Sequence, residues 1–205
     1  LEKVGSFQEG VVFLENNLEF NGVIDLGQGT LLTGVRYPER GVMTVPLSGN
    51  SAGGCNLILQ SLLADDRFLK AVKAAGFAAA PSFEKLSSIL SQERWEVKGI
   101  DFRKFLKPHL KLSKQRIENS AQSIRAELRN ASPFDDVEVR IALIGGGASL
   151  LQGVLGSALD KWCDRHNLVI FQQSPDYQTV LQMYESIKKD STQLVQLPVN
   201  AAVSS

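Results

Sequence analysis

Val23-Ile24-Asp25-Leu26-Gly27-Gln28-Gly29-Thr30 is an apolar run that ends in a carboxylate, two glycines and a hydroxyl. Far along the chain, Ile141-Ala142-Leu143-Ile144-Gly145-Gly146-Gly147-Ala148 repeats the plan, an apolar run closing in three glycines. Each reads as a strand that delivers a glycine-rich turn. Such turns let backbone N–H groups come close to a phosphate or a sugar.

Around these two segments the pattern alternates between strand and helix. Residues 4–14 read as a short strand running into an apolar helix or turn, and 16–21 as a loop. Runs at 22–26, 31–37 and 41–47 are β-rich and separated by turn residues, which predicts an antiparallel meander. Residues 48–54 are small, and 55–64 have helical spacing through Leu57, Ile58, Ser61 and Leu62. From 65 to 129 the spacing is helical nearly throughout, with breaks at 76–81, at Lys98-Gly99 and at Pro108. Ile117, Ala121, Ile124 and Leu128 place one apolar stripe on a long helix. That helix is expected to end near Asn130, with Pro133 forcing the chain out. Residues 137–144 read as a buried strand, 148–164 as a helix, 168–172 as a strand and 176–188 as a last helix opened by Ser174-Pro175. The tail after Asp190 has no pattern and is expected to be loose or packed on a neighbour. The order β-β-β-α, helical block, β-α-β-α predicts an α/β layer architecture with a helical insertion.

The bulk numbers exclude some classes of function. The 205 residues suffice for one large or two small domains. Lys plus Arg equal Asp plus Glu at 22 each, so global charge favours neither nucleic acid nor an anionic membrane. No apolar stretch approaches the roughly 18 residues of a spanning helix, and the residues after Leu1 do not read as a signal peptide. The Leu1-Glu2 start without Met reads as an excised fragment. Cys55 and Cys163 have no metal-ligand partner at short spacing and read as packed, reduced thiols of a cytosolic protein. His109 and His166 match no metal spacing and read as structural or exposed.

Each motif also has a plainer reading. Asp25 at a strand end can hold Mg²⁺ through water, Gly27 and Gly29 allow close approach to phosphates, and Thr30 adds a hydroxyl. A hairpin with a surface Asp would look the same. Gly145-Gly146-Gly147 would let an adenine and ribose lie against the backbone, or would simply make a tight strand-to-helix turn. Ser51-Ala52-Gly53-Gly54 lacks the Lys of a P-loop, and Asn50 or Ser51 can serve as a helix N-cap.

Taken together, the two turns resemble motifs of the actin-like ATPase superfamily. Residues Val23 to Thr30 are similar to its second phosphate motif, and Leu143 to Ala148 to its adenosine motif. Ser174-Pro175-Asp176-Tyr177 and the residues after it resemble the last motif of plasmid-segregation actins of the ParM/StbA type. Gln8-Glu9-Gly10 resembles the segment where the family places a residue that orients the attacking water. The sequence departs from the family at Gln28, where Gly is common, at Leu31, and at Gln182. The family's first phosphate motif, an Asp-x-Gly hairpin, is absent from these residues.

The resemblance implies an RNase H-like, actin-like ATPase domain with a mixed five-stranded sheet flanked by helices and a mainly helical inserted subdomain. The expected division is 1–64 with 131–190 as the nucleotide-binding subdomain, 65–130 as the insertion and 191–205 as a flexible tail. It implies the second domain of a protein that binds Mg-ATP in an interdomain cleft, with the fragment alone inactive as an ATPase. Catalytic roles fall to Gln8, Glu9 and Asp25, with Asp25 also at the metal. Nucleotide contacts fall to Gly27, Gln28, Gly29, Thr30, Gly145, Gly146, Gly147 and Tyr177. Lys114, opening a helix that leans over the adenosine in the family, is a further candidate; an exposed basic residue there is the alternative. The resemblance also implies filament assembly for plasmid or DNA segregation, a DNA-bound adaptor as partner, no direct nucleic-acid or membrane contact, and a cytoplasmic location. The rival is a non-polymerising scaffold of pilus-assembly or cell-division type, or a chaperone or kinase on the same fold.

Overall fold

The computed structural model describes residues 9–37, 40–44, 54–132 and 137–170. The chain enters as helix α1 (Glu9–Asn16), then forms strands β1 (Gly22–Leu26), β2 (Leu31–Tyr37) and β3 (Gly41–Thr44). Helices α2 (Asn56–Leu63), α3 (Asp66–Ala74) and α4 (Phe83–Ser91) follow, then a small hairpin, β4 (Glu96–Val97) with β5 (Ile100–Asp101). Helix α5 (Phe102–Leu106) leads through a 3-10 turn (Lys107–His109) into α6 (Leu110–Ala131). Strand β6 (Ile141–Ile144), helices α7 (Gly146–Leu155) and α8 (Ser157–Arg165) and strand β7 (Leu168–Ile170) complete the described residues. No helix among them is long and apolar enough to cross a membrane.

The main sheet is mixed and five-stranded, as expected, and its strands run in the order β3-β2-β1-β6-β7. The first three strands form the antiparallel meander, while β6 joins β1 in parallel and β7 joins β6 in parallel. Strand alternation divides the core into two layers. Val23, Ala142 and Ile144 pack with Phe13, Leu14 and Phe20 of the α1 side. Ile24, Leu26, Ile141 and Leu143 face the other way, onto α2, α6 and α7. The predicted stripe on α6 is fully buried, Ile117, Ala121 and Ile124 at 0% exposure and Leu128 at 2%. That helix lies directly on β1 and β2. Arg36 of β2 fixes the α1–β1 connection: its guanidinium donates to the carbonyls of Leu14 (3.1 Å), Asn17 (3.4 Å), Leu18 (2.6 Å) and Phe20.

Three sequence expectations need correction. Residues 137–140 are not strand. The neighbouring strand begins only at Gly22, and beside them the Asn21 side chain accepts from Arg140 N–H (2.9 Å) and donates to the Glu138 carbonyl (2.7 Å), while its own N–H donates to the Arg140 carbonyl (3.1 Å). The single helix expected over 148–164 is two, because Gly156 stands in the left-handed region (φ 51°) and ends α7. Lys98-Gly99 is not a helix break but the turn of a hairpin, with both residues at positive φ (49° and 77°), the geometry that two-residue hairpin loops require. The break expected at Pro108 is present: α5 ends at Leu106, and Pro108 sits in the first turn of the 3-10 segment that separates it from α6, where its missing N–H is not needed. The α2 N-cap is Cys55; Asn50 and Ser51 lie outside the described residues. So does the expected final helix over 176–188.

Candidate functional site

Strands β1 and β6 are parallel neighbours, and Asp25 pairs in register with Ile144. Their carboxyl ends therefore meet at one edge of the sheet, where open α/β sheets form ligand crevices. The turn after β1 is a tight hairpin closed by Gly27 N–H donating to the Thr30 carbonyl (3.0 Å). Its carbonyls at Gly27 and Gln28 accept from the N–H groups of Cys55 (3.1 Å) and Asn56 (2.8 Å), at the start of α2. A trans peptide points its C=O and N–H in opposite directions. The N–H groups of Gln28 and Gly29 therefore project away from α2, toward the exposed side of the turn. Gly54 makes this clamp possible, for a Cβ there would lie 2.5 Å from both carbonyl oxygens.

The three glycines after β6 do different things. Gly145 has φ +92°, and a Cβ would collide with Asp25 Oδ1 and come within 2.6 Å of the Leu26 carbonyl. A Cβ on Gly147 would collide with the Leu26 side chain and approach Cys55 Sγ to 2.7 Å. These two are explained by the packing of β1, α2 and α7 against one another. Gly146 is not: it is exposed, and nothing lies within 4 Å of the position its Cβ would take. It is the first residue of α7, just ahead of Ala148, whose N–H donates to the Gly145 carbonyl (3.0 Å).

Gly146 lines a cleft of about 250 Å³ between the sheet edge and the helical block. One wall carries Gln28, Cys55, Leu59, Ser149 and Leu150; the other carries Ser87, Leu90, Ser91, Glu93 and Trp95. The floor is apolar and the rim carries hydroxyl, amide and carboxylate groups. Burial pushes the Cys55 thiol up to about 12, so it is an uncharged, packed wall group and not a nucleophile.

Asp25 is 3% exposed and lies under the Gly145 turn. Among the described residues no group of three or more His, Cys, Asp and Glu is placed to hold a metal ion. A single carboxylate, Asp25, suits a Mg²⁺ that would keep most of its water and phosphate ligands; it does not make a protein-only metal cage. Asn56 Oδ1 beside the same turn is buried, with no hydrogen-bond partner among the described residues. A water or ligand donor would satisfy it.

Eight of the residues singled out in the sequence thus come together: Asp25, Gly27, Gln28, Gly29, Thr30, Gly145, Gly146 and Gly147. Glu9 is the first residue of α1, which lies on β1 and β2. Gln8 and Tyr177 lie outside the described residues. Lys114 is on α6 with its ammonium 5.1 Å from the Trp162 ring centroid, and it does not line the cleft. His109 pairs with Asp65 (3.1 Å) and His166 with Glu118 (3.2 Å), both away from the cleft. Sequence reading missed the second wall altogether. The signal for it was a lone Trp95 in a polar stretch, paired with Gly153 in the middle of a helix.

No family model and no curated protein matches this chain. Among solved structures, the actin-like protein Alp7A is 16% identical over 85% of this chain and 47% of its own, with a TM-score of 0.46. The ethanolamine utilization protein EutJ from Carboxydothermus hydrogenoformans is 19% identical over 83% of this chain and 51% of its own, with a TM-score of 0.40. The activator of the 2-hydroxyisocaproyl-CoA dehydratase from Clostridium difficile, with bound ADPNP, is 10% identical over 94% of this chain and 69% of its own, with a TM-score of 0.41. The chain spans about half the length of the first two.

Proposed function

We propose that this chain is a nucleotide-binding domain of an actin-like ATPase, acting with a second domain that closes over the same edge. The observation that carries the reading is the adjacency of two glycine turns on neighbouring parallel strands, above a cleft with an apolar floor. In this reading the outward N–H groups of Gln28 and Gly29 and the Thr30 hydroxyl hold phosphate. Asp25 reaches Mg²⁺ through water, and the bound ion neutralises phosphate charge. Gly146 leaves room for the nucleoside at the start of α7, and Glu9 or Gln8 orients water. The division into a nucleotide-binding unit and an inserted helical unit belongs to the same proposal.

Gly146→Val is the cleanest test. Its Cβ meets nothing, so the fold is retained, while the branched side chain occupies the approach to α7. By calorimetry, Mg-ADP binding should weaken at least tenfold in this variant and in Asp25→Asn. Unchanged affinity in Gly146→Val would reject the site.

We infer further that the nucleotide-bound parent protein stacks head to tail into filaments in the cytoplasm, with a DNA-bound adaptor, for plasmid segregation. A heterologous contact of that kind gives open assemblies. Pelleting with Mg-ATP, lost in Asp25→Ala, is the expected result. Tight binding without pelleting favours a scaffold on the same fold.

A further inference from the structure

The cleft's second wall is built with unusual care for a surface turn. Helix α4 ends in a paired-bond cap: Arg94 N–H donates to the Ile89 carbonyl (3.1 Å) and Glu93 N–H to that of Leu90 (3.0 Å). The left-handed position in such a cap is usually Gly, yet here it is Glu93 at φ 55°. This turn swings the chain so that the Trp95 indole lands on α7. There a Cβ at Gly153 would collide with the ring, its Cε2 standing 2.7 Å away. A glycine inside a helix costs about 1 kcal/mol relative to alanine. The indole seated against its backbone accounts for that position. Phe102 N–H donates to the Trp95 carbonyl (2.9 Å) and fixes the backbone from the far side. Trp95 also lines the cleft, together with Gly146 and Leu150.

We propose that Trp95, keyed into Gly153, is the residue that selects a planar base in this cleft, so that affinity depends on the base and not on phosphate alone. The inference rests on the nucleotide reading above. An indole held on one side by a helix offers a rigid aromatic surface to a ligand on the other, and stacking of a base on such a surface tolerates any base. Gly153 then acts as a positioning residue, since it sets where the ring stands.

The test uses the full chain, with ADP and inorganic pyrophosphate as probes, read by calorimetry and tryptophan fluorescence. ADP should quench the fluorescence of the wild type saturably, and Trp95→Phe should abolish that signal while keeping affinity within about threefold. Trp95→Ala should lose roughly tenfold in ADP affinity and leave pyrophosphate affinity unchanged, which a merely structural role would not do. Gly153→Ala, which displaces the ring without touching the turns, should lower the ADP-to-pyrophosphate ratio in the same direction and so guards against misfolding of Trp95→Ala. If ADP binds the wild type and Trp95→Ala equally, or binds without quenching, the Trp95 proposal is wrong and the nucleotide site stands. If calorimetry detects no ADP binding to the wild type, the nucleotide reading itself fails.

Discussion

Gly145, Gly146 and Gly147 are identical in sequence and different in consequence. Gly145 needs a positive φ and sits against Asp25 and the Leu26 carbonyl, while Gly147 admits the Leu26 side chain. Alanine at Gly145 or Gly147 should therefore lower unfolding free energy by about 2–3 kcal/mol, from backbone strain at the first and overpacking at both. Gly146→Ala should leave stability unchanged or slightly raised, because its Cβ has open space and alanine favours helix. Urea titration of the three variants checks this ordering. The sequence displayed three adjacent glycines. It could not say which had a packing reason, since Leu26 and Cys55 are distant in the chain and meet only in the fold.

At the scale of elements, short polar ties decide how helices attach to the sheet. Arg36 gathers the carbonyls of the α1–β1 connection, so Arg36→Met should cost about 2–4 kcal/mol in a thermal or urea melt. Helices α3 and α5 open with the same device: Asp65 and Asp101 each accept from the backbone N–H and the guanidinium of the Arg two residues on. The Arg67 guanidinium, with Arg67 N–H and His109 adding, holds the Asp65 carboxyl well below the usual carboxylate range, although burial opposes the shift. A carboxyl depressed by folding stabilises the native state above its unfolded value, near 4, and loses that contribution as pH falls below it. Stability measured from pH 6 down to pH 2 should drop more steeply in the wild type than in Asp65→Asn, and the two curves should converge in acid. The strands of the meander were legible because each is bounded by turn residues. The β4–β5 hairpin was not, because two-residue strands carry no periodicity and Lys98-Gly99 reads equally well as a helix break. The division of α7 from α8 was hidden for a similar reason, as Gly156 resembles any tolerated helix glycine until its φ is known.

For the whole molecule, the parallel pairing of β1 with β6 is what turns two weak motifs into one place. Either glycine turn alone is a common loop; side by side, with Asp25 beneath and α2 clamping the hairpin, they form an edge with outward amides over a cleft. The meander and the two glycine turns followed from the apolar runs and their glycines, whereas the strand order, which sets β6 beside β1, emerged only in the fold. The second wall did not follow from the sequence either, because it comes from the helical block, whose packing onto α7 through Trp95 and Gly153 leaves no periodic trace. The most direct test of the account is amide chemical-shift mapping of the isotopically labelled chain during titration with Mg-ADP. The amides of Gly27 to Thr30 and of Gly145 to Gly147 should shift together along one saturable curve. Saturable shifts confined to other residues, or none up to millimolar nucleotide, would contradict it.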